Sequence, residues 1–135
     1  MSTTLASLLG FICWALTLLV LMEVIRTTLV VTGAVPANGF NPENSNLSPF
    51  MQRLARAHAN CLEGLPIFGG LMLVAVVSGK SSVTDPLAYV LLGARIVQSA
   101  IHLASTSAPA VTARFTAFAV QLAIAVYWAL KLFSA

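Results

Sequence analysis

Apolar residues dominate four long stretches of the chain, and segments rich in polar residues, proline and glycine separate these stretches. They cover about residues 5–31, 51–78, 86–104 and 110–133. Each offers the roughly 20 residues that an α-helix needs to cross a bilayer. The pattern predicts an all-α integral membrane protein, a four-helix bundle that forms one transmembrane domain over residues 1–135.

The three breaks between the stretches differ in length and chemistry. Residues 32–49 hold several glycines, prolines and asparagines, which predicts a solvated loop. In the second break Asp85 precedes Pro86, and proline suits the first turn of a helix, so we expect the third helix to begin there. The third break, residues 105–109, is short enough to make the last two helices an antiparallel hairpin.

The composition favours lipid as the surroundings. Hydrophobic residues make up 59% of the chain and charged residues 8%, and the mean hydropathy is +0.92, whereas soluble domains carry roughly 25% charged residues. The net charge of +3 rests on seven basic side chains and gives no support for nucleic-acid binding. Cys13 and Cys61 both fall in predicted spans, which argues against a disulfide framework or a metal site.

The distribution of basic residues predicts the orientation of the bundle. With four spans, the first and third loops lie on the same side of the membrane. The basic residues near that side are Arg26, Arg53, Arg56 and Arg114, and those near the other side are Lys80 and Lys131. By the positive-inside rule, the first loop is then cytoplasmic and both termini face outward.

Polar side chains recur on one face of the second and of the third predicted helix. Arg56, Asn60 and Glu63 are spaced i, i+4 and i+7. The third helix carries a similar stripe, with its members at i, i+3 and i+7: Arg95, Gln98 and His102. Two such stripes on neighbouring helices should meet. Arg26 and Arg114 reach the same depth, so all four helices deliver polar groups to one layer near the cytoplasmic face.

Two interpretations of this polar layer are open. Ionisable groups inside a membrane are functional candidates by default, and guanidinium groups recognise carboxylates through paired hydrogen bonds. Alternatively, these residues pair with one another and hold the bundle together. The arginines outnumber the single deep carboxylate, Glu63, which favours a pocket for an anionic ligand.

Three further polar residues lie outside these stripes. Glu23 is expected to pair locally with Arg26, at i and i+3. His58 lies off the stripe of the second helix and is expected to be a packing residue, and Gln121 is expected to form an interhelical hydrogen bond.

The run from Arg53 to Pro66, RLARAHANCLEGLP, resembles the second-helix signature of the MAPEG family, the membrane-associated proteins in eicosanoid and glutathione metabolism. The resemblance extends to chain length, four spans, a long first loop and an arginine near the start of the fourth helix. The first loop and the run from Ala94 to His102, ARIVQSAIH, look most like the bacterial branch, which includes proteins similar to microsomal glutathione transferases.

This resemblance implies a homotrimer in a bacterial inner membrane, with glutathione bound as co-substrate between neighbouring subunits near the cytoplasmic face. By family position, the residues that would bind glutathione are Arg26, Arg56, His58, Asn60, Glu63, Arg95, Gln98 and His102. His58 thereby becomes a site residue instead of a packing residue. Arg114 matches the arginine that stabilises the glutathione thiolate, and this makes it the candidate catalytic residue.

The implied function is a glutathione transferase or peroxidase that conjugates or reduces hydrophobic small-molecule electrophiles. A thiol with a pKa of about 8.5 is mostly protonated at neutral pH, and a nearby guanidinium would favour the nucleophilic thiolate. The sequence departs from several family enzymes, because Gln98 and His102 stand where these have tyrosines. Phe115 and Phe118 follow Arg114 where the prostaglandin-synthase type has hydroxyl residues, so prostaglandin isomerase chemistry is not expected.

Two alternatives to a transferase follow from these features. The first is a non-catalytic member of the same family that binds lipid or glutathione. The second is a small multidrug-type exporter that uses one membrane carboxylate. Glu23 lies beside Arg26, and Glu63 lies within a cluster of arginines, so neither carboxylate stands alone as such an exporter requires.

Overall fold

The computed structural model describes residues 1–135, and all of its regular structure is helical. The four long helices are α1 (Thr3–Val31), α2 (Pro49–Val77), α3 (Ser81–Ala104) and α4 (Ala108–Ser134). Each is long and apolar enough to cross a membrane. The predicted all-α, four-helix membrane fold is therefore confirmed.

Local sequence signals explain where most of the helices begin and end. At the start of α1, α2 and α4, a serine hydroxyl accepts a hydrogen bond from the backbone N–H three residues later. The pairs are Ser2 with Leu5, Ser48 with Met51 and Ser107 with Ala110. Gly33 and Gly79 have φ angles of +76° and +71°, and they end α1 and α2 in the left-handed conformation that glycine adopts without strain.

Helix α3 begins at Ser81, earlier than the Asp85-Pro86 pair indicated. Asp85 does not cap its own helix. Its carboxylate instead accepts hydrogen bonds from the backbone N–H and the hydroxyl of Thr4, at 2.9 and 2.6 Å. Asp85 therefore caps the first turn of α1, where a negative charge also stabilises the helix dipole.

Helix α3 packs against each of the other three helices, and it forms the predicted antiparallel hairpin with α4. Two groups of buried apolar side chains fill the bundle. One surrounds Phe11, Phe68 and Trp128, and the other surrounds Leu18 and Leu54. The outer faces carry many exposed Leu, Val, Ile and Phe side chains, as expected for a lipid-facing surface.

A π-helical turn, Leu65–Gly69, interrupts α2 just past the middle of the helix. Pro66 lies in this turn, and proline lacks the N–H that an α-helix needs at that position. The wider turn accommodates the missing hydrogen bond and inserts one extra residue. Gly64 on one side of the turn and Phe68 within it consequently face the same space as the polar stripe of α2.

The first loop is attached to the bundle through Asn44, which is fully buried and has a φ of +56°. Its amide nitrogen donates to the carbonyl oxygen of Met51 at 2.8 Å. Its amide oxygen accepts from Nε of Arg26 at 3.1 Å and also from Nη2 of that residue. Asparagine tolerates the left-handed region, so this one residue both turns the loop and joins α1 to the start of α2.

Candidate functional site

The polar stripes of α2 and α3 meet, as predicted. The Asn60 amide nitrogen lies 3.5 Å from Nδ1 of His102, and Nη1 of Arg95 donates to the Asn60 carbonyl oxygen at 3.4 Å. Helix α4 joins the contact from the other side, because Nε2 of Gln121 donates to Oε1 of Gln98 at 2.8 Å. The predicted interhelical role of Gln121 is therefore confirmed.

An inner cavity of about 420 Å³ opens between α2, α3 and α4 at this contact. Its polar lining comes from both stripes, and its apolar lining comes from the π-helical turn and from α4. The lining residues are Asn60, Glu63, Gly64, Ile67, Phe68, Arg95, Gln98, Phe118 and Leu122. Ligand pockets commonly measure about 300–1,000 Å³ and combine apolar walls with a few polar groups, so this cavity has the size and chemistry of a small-molecule site.

Arg95 is the most unusual residue of the inner cavity. Its side chain is only 1% exposed, and neither Nε nor Nη2 has a hydrogen-bond partner. The Cys61 thiol lies beside the guanidinium, and its own hydrogen-bond contact is to the Ser99 hydroxyl at 3.4 Å. Three rings surround the cation, those of Phe11, Phe68 and Phe118, with centroids 5.4, 5.6 and 5.9 Å away.

No carboxylate forms an ion pair with Arg95, since the single ion pair in the chain joins Arg26 and Glu23 at 3.2 Å. This pair confirms the expected local contact on α1. Cation–π contacts contribute about 2 kcal/mol each when desolvated, and a buried ion loses several kcal/mol of hydration. Arg95 therefore presents an unpaired positive charge at the inner cavity, which an anionic ligand would stabilise.

An outer cavity of about 260 Å³ adjoins the inner one and shares Asn60, Gln98 and Phe118 with it. Arg56 of α2 and Arg114 of α4 line it from opposite sides. Both guanidinium groups lack an ion-pair partner within the chain. The structure thus brings the α2 stripe, Arg95, Gln98 and Arg114 around two connected spaces.

Three candidate residues lie elsewhere. Arg26 lines a separate groove with Glu23 and Phe40 on the outer side of α1, where its guanidinium also stacks 5.4 Å from the Phe40 ring. His58 is half-buried and lines neither cavity, and the charge that acts on it is that of Glu23. His102 is 5% exposed and faces a third space, at the Arg-rich end of the bundle.

Sequence reasoning missed the apolar residues that shape the inner cavity. Phe118 lies one turn after Arg114, and Gly64 lies one turn after Asn60, so helical spacing alone places each of them beside a polar candidate. Gly64 also has a steric role. A Cβ atom there would lie 2.8 Å from Nη2 of Arg95 and 3.1 Å from the Phe68 ring.

A family model described as the MAPEG family matches residues 4–134 of the chain. The chain belongs to the MAPEG family. Neither the curated proteins nor the solved structures contain a match to it. The resemblance that rested on the second-helix signature is therefore confirmed over nearly the whole chain.

Membership and fold together make this MAPEG protein an integral, multi-pass membrane protein whose apolar helices contact lipid. The MAPEG family includes glutathione transferases as well as non-catalytic members, and its members generally use glutathione. The signature residues of this MAPEG protein, Arg56, Asn60 and Glu63, are the ones that line the two connected cavities.

Proposed function

We propose that the protein is a glutathione-dependent transferase or peroxidase that acts on hydrophobic electrophiles at the cytoplasmic face of a bacterial inner membrane. The observation that supports this proposal most directly is the charge of the connected cavities. Arg56, Arg95 and Arg114 face them, and Glu63 is the only carboxylate among the lining residues.

The donor set is chemically suited to glutathione, which presents two carboxylates, one ammonium group and one thiol. Guanidinium groups bind carboxylates through two parallel hydrogen bonds, and Arg56 is exposed and has no protein hydrogen-bond partner. The Glu63 carboxylate can accept hydrogen bonds from the ammonium group. The amides of Asn60 and Gln98 can bind the peptide groups of the ligand.

Arg114 is the proposed catalytic residue. A guanidinium near the sulfur favours ionisation of the thiol, and the released proton passes to solvent. The thiolate then attacks the electrophilic carbon of the substrate, so that a C–S bond forms as the leaving group departs, or as a π bond opens and its electron pair takes up a proton from solvent. In a peroxidase reaction the same thiolate attacks the peroxide oxygen, and the O–O bond breaks to give an alcohol and the sulfenic acid of glutathione. A second glutathione then reduces this sulfenic acid, which gives glutathione disulfide and water. Ile67 and Leu122 line the inner cavity and offer apolar surface to such a substrate.

The proposed assembly is a homotrimer with one site at each subunit interface. Within one chain, the Arg26 groove on α1 and the connected cavities between α2, α3 and α4 lie on different surfaces. A neighbouring subunit could supply Arg26 to these cavities, and His58 with it. Glu23 is 54% exposed in its side chain, and a polar protein neighbour would stabilise this carboxylate better than lipid does.

The test is calorimetric titration of glutathione into the detergent-purified protein. We expect saturable binding, and we expect Arg56→Ala and Glu63→Ala to weaken it by about ten-fold or more, because a hydrogen bond to a charged group contributes about 1.5–3 kcal/mol. Lys131→Ala is the matched control, since Lys131 lies at the opposite end of the bundle. Wild-type protein without measurable glutathione affinity would overturn the proposal.

A second candidate is a non-catalytic glutathione- or lipid-binding protein of the same fold. Phe115 and Phe118, which line the outer cavity next to Arg114, favour it because neither ring can donate a hydrogen bond to a reacting oxygen. Ultraviolet absorbance of the bound thiolate separates the two candidates. A transferase shows this absorbance and loses it in Arg114→Ala, whereas a binding protein takes up glutathione without it.

A further inference from the structure

A third cavity, of about 250 Å³, lies at the end of the bundle that carries the first and third loops. We call it the mouth cavity. None of its lining residues is hydrophobic, which sets it apart from the two connected cavities deeper in the bundle. The residues are Pro49, Gln52, Arg53, Arg56, His102 and Thr106.

Arg53 is held in place at the mouth cavity by its own hydrogen bond. Its Nε donates to the carbonyl oxygen of Leu103 at 2.9 Å, which satisfies one of the free carbonyl groups at the end of α3. The two Nη groups of Arg53 have no protein hydrogen-bond partner, and those of Arg56 have none either. Arg53, whose position is fixed, and Arg56, which makes no hydrogen bond, thus both offer free guanidinium N–H groups to a ligand in the cavity.

The mouth cavity has no negative counter-charge within the chain. The chain has four acidic residues, and none of them lines this cavity. Glu23 is paired with Arg26, Asp85 binds Thr4 at the far end, and Glu63 lines the inner cavity. Glu43 is exposed in the first loop. The charges of three arginines act on the buried His102 ring: Arg114, Arg56 and Arg53.

The length of α2 indicates that the mouth cavity lies at the level of the membrane surface. Helix α2 has 29 residues, so it is roughly 44 Å long and exceeds the roughly 30 Å hydrocarbon core by about a turn at each end. With α2 centred on the hydrocarbon core, the start of the helix, with Gln52 and Arg53, lies at the level of the lipid headgroups. Thr106 follows the end of α3 at the same level. The positive end of the α2 dipole points in the same direction.

We propose that the mouth cavity is an oxyanion site for a phosphate group at the membrane surface, carried by an anionic phospholipid or by a soluble phosphate ester. A phosphate accepts several hydrogen bonds at once and matches two guanidinium forks, and basic pockets between transmembrane helices bind anionic headgroups. Arg56 and His102 also belong to the candidate glutathione site, whereas Gln52 and Arg53 line only the mouth cavity. Arg53→Gln therefore tests the mouth cavity separately from glutathione binding.

The test uses the full-length protein in phosphatidylcholine nanodiscs with trace spin-labelled phosphatidylglycerol or spin-labelled phosphatidylcholine. The motionally restricted fraction of each label gives their relative association constant. We expect a preference for phosphatidylglycerol that falls about five-fold in Arg53→Gln. Arg56→Gln should lower the preference for phosphatidylglycerol by a similar factor. It serves as a second variant because Arg56 has no structural hydrogen bond whose loss could unfold the protein. The charge-matched control Lys131→Gln should keep the wild-type preference.

A second arm titrates inorganic phosphate into the same nanodiscs by calorimetry. If the lipid preference is present and depends on Arg53, the source is a lipid headgroup. If only inorganic phosphate binds, and Arg53→Gln abolishes that binding, the source is a soluble phosphate ester. The proposal is overturned if neither probe binds, or if Lys131→Gln weakens binding as much as Arg53→Gln does, because the effect is then one of net charge.

Discussion

At the residue scale, Arg95 is the residue that best distinguishes the two interpretations of the polar layer, a ligand site and a structural contact between helices. Its guanidinium is buried, without an acidic partner, and two of its nitrogens have no hydrogen-bond partner. Replacing a buried unpaired charge by an apolar side chain of similar size removes a desolvation cost. We expect Arg95→Met to leave the melting temperature of the ligand-free protein in detergent unchanged or higher. Glutathione affinity should fall by about ten-fold or more.

The matched variant is Arg95→Lys, which keeps the charge but not the planar fork. It should keep the melting temperature of the wild-type apo protein and still lose affinity, because an ammonium group cannot form the paired hydrogen bonds of a guanidinium. If Arg95 instead holds the helices together, Arg95→Met should lower the stability of the protein and leave its glutathione affinity unchanged. A melting temperature several degrees lower, with glutathione affinity intact, would show that Arg95 serves the bundle and not a ligand.

Gly64 offers a second test at the residue scale, because its missing side chain makes room for Arg95. An added Cβ atom would lie 2.8 Å from Nη2 of Arg95 and 3.1 Å from two atoms of the Phe68 ring. We expect Gly64→Ala to shift both groups, to cost about 1–3 kcal/mol of stability as overpacking does, and to weaken glutathione binding.

Gly70→Ala is the control for Gly64→Ala, since a Cβ atom at Gly70 meets nothing within 4 Å. Gly70 is half-buried in a helix, and alanine there should raise stability slightly, by about 0.5–1 kcal/mol, because glycine loses more backbone entropy on folding. Chemical unfolding in mixed detergent micelles measures both variants. Equal effects of the two substitutions would mean that the close approach of Gly64 to Arg95 has no energetic consequence.

At the element scale, the contact between Asp85 and Thr4 ties the start of α1 to α3. Asp85 accepts the Thr4 N–H at 2.9 Å, and Thr4 and Thr84 are fully buried beside it. Loss of a helix cap costs about 1 kcal/mol, and loss of the charge at the helix start adds a few tenths. We expect Asp85→Ala to lower the free energy of unfolding by about 1–2 kcal/mol and Asp85→Asn by less.

Hydrogen exchange checks where this loss acts. In Asp85→Ala the first turn of α1 should exchange faster, while the first turns of α2 and α4 keep the wild-type rate because serine caps them. Ser2→Ala removes the local cap of α1 and should affect the same turn without loosening its contact with α3. An unchanged exchange rate in Asp85→Ala would show that the cross-helix cap is not needed.

The elements themselves could largely be predicted from the sequence, because helix formation in lipid depends on long apolar runs and little else. The contact between the two polar stripes could be predicted as well, because once the helices are assigned, helical spacing places each set of polar residues on one face. The π-helical turn could not be predicted. A proline such as Pro66 indicates a break, but whether α2 kinks, ends or widens depends on its neighbours Phe11 and Arg95, which are distant in sequence.

The placement of individual side chains was less predictable than the elements. Asn44 looked like one of several loop asparagines, yet it alone is buried and bound to Arg26 and Met51. Arg53 lies one turn before Arg56 on α2, yet its side chain turns to the end of α3. Both outcomes depend on which backbone carbonyl or guanidinium is left unsatisfied after the helices pack, and helical periodicity carries no such information.

At the scale of the whole molecule, one chain presents two separate polar surfaces. The connected cavities between α2, α3 and α4 hold Arg56 and Arg114, whereas Arg26 lies in a groove on α1. A head-to-tail interface joins two different surfaces of identical subunits and closes into a ring when the rotation permits. Such a ring would bring the α1 groove of each subunit to the cavities of its neighbour, which is the arrangement that the proposed homotrimer requires.

Mixed oligomers test this arrangement directly. We expect Arg26→Ala and Arg56→Ala to bind glutathione weakly when each is expressed alone. If the proposed site combines Arg26 of one subunit with Arg56 of its neighbour, random mixing of the two variants restores about a quarter of all sites, and about a third of the sites in trimers that contain both variants. If both arginines serve the same chain's site, no mixture restores any, because every chain carries one defect. The two variants are co-expressed with different affinity tags and purified through both tags in sequence, and calorimetry then counts the glutathione sites. The count decides whether each site lies within one chain or between neighbouring subunits of a ring.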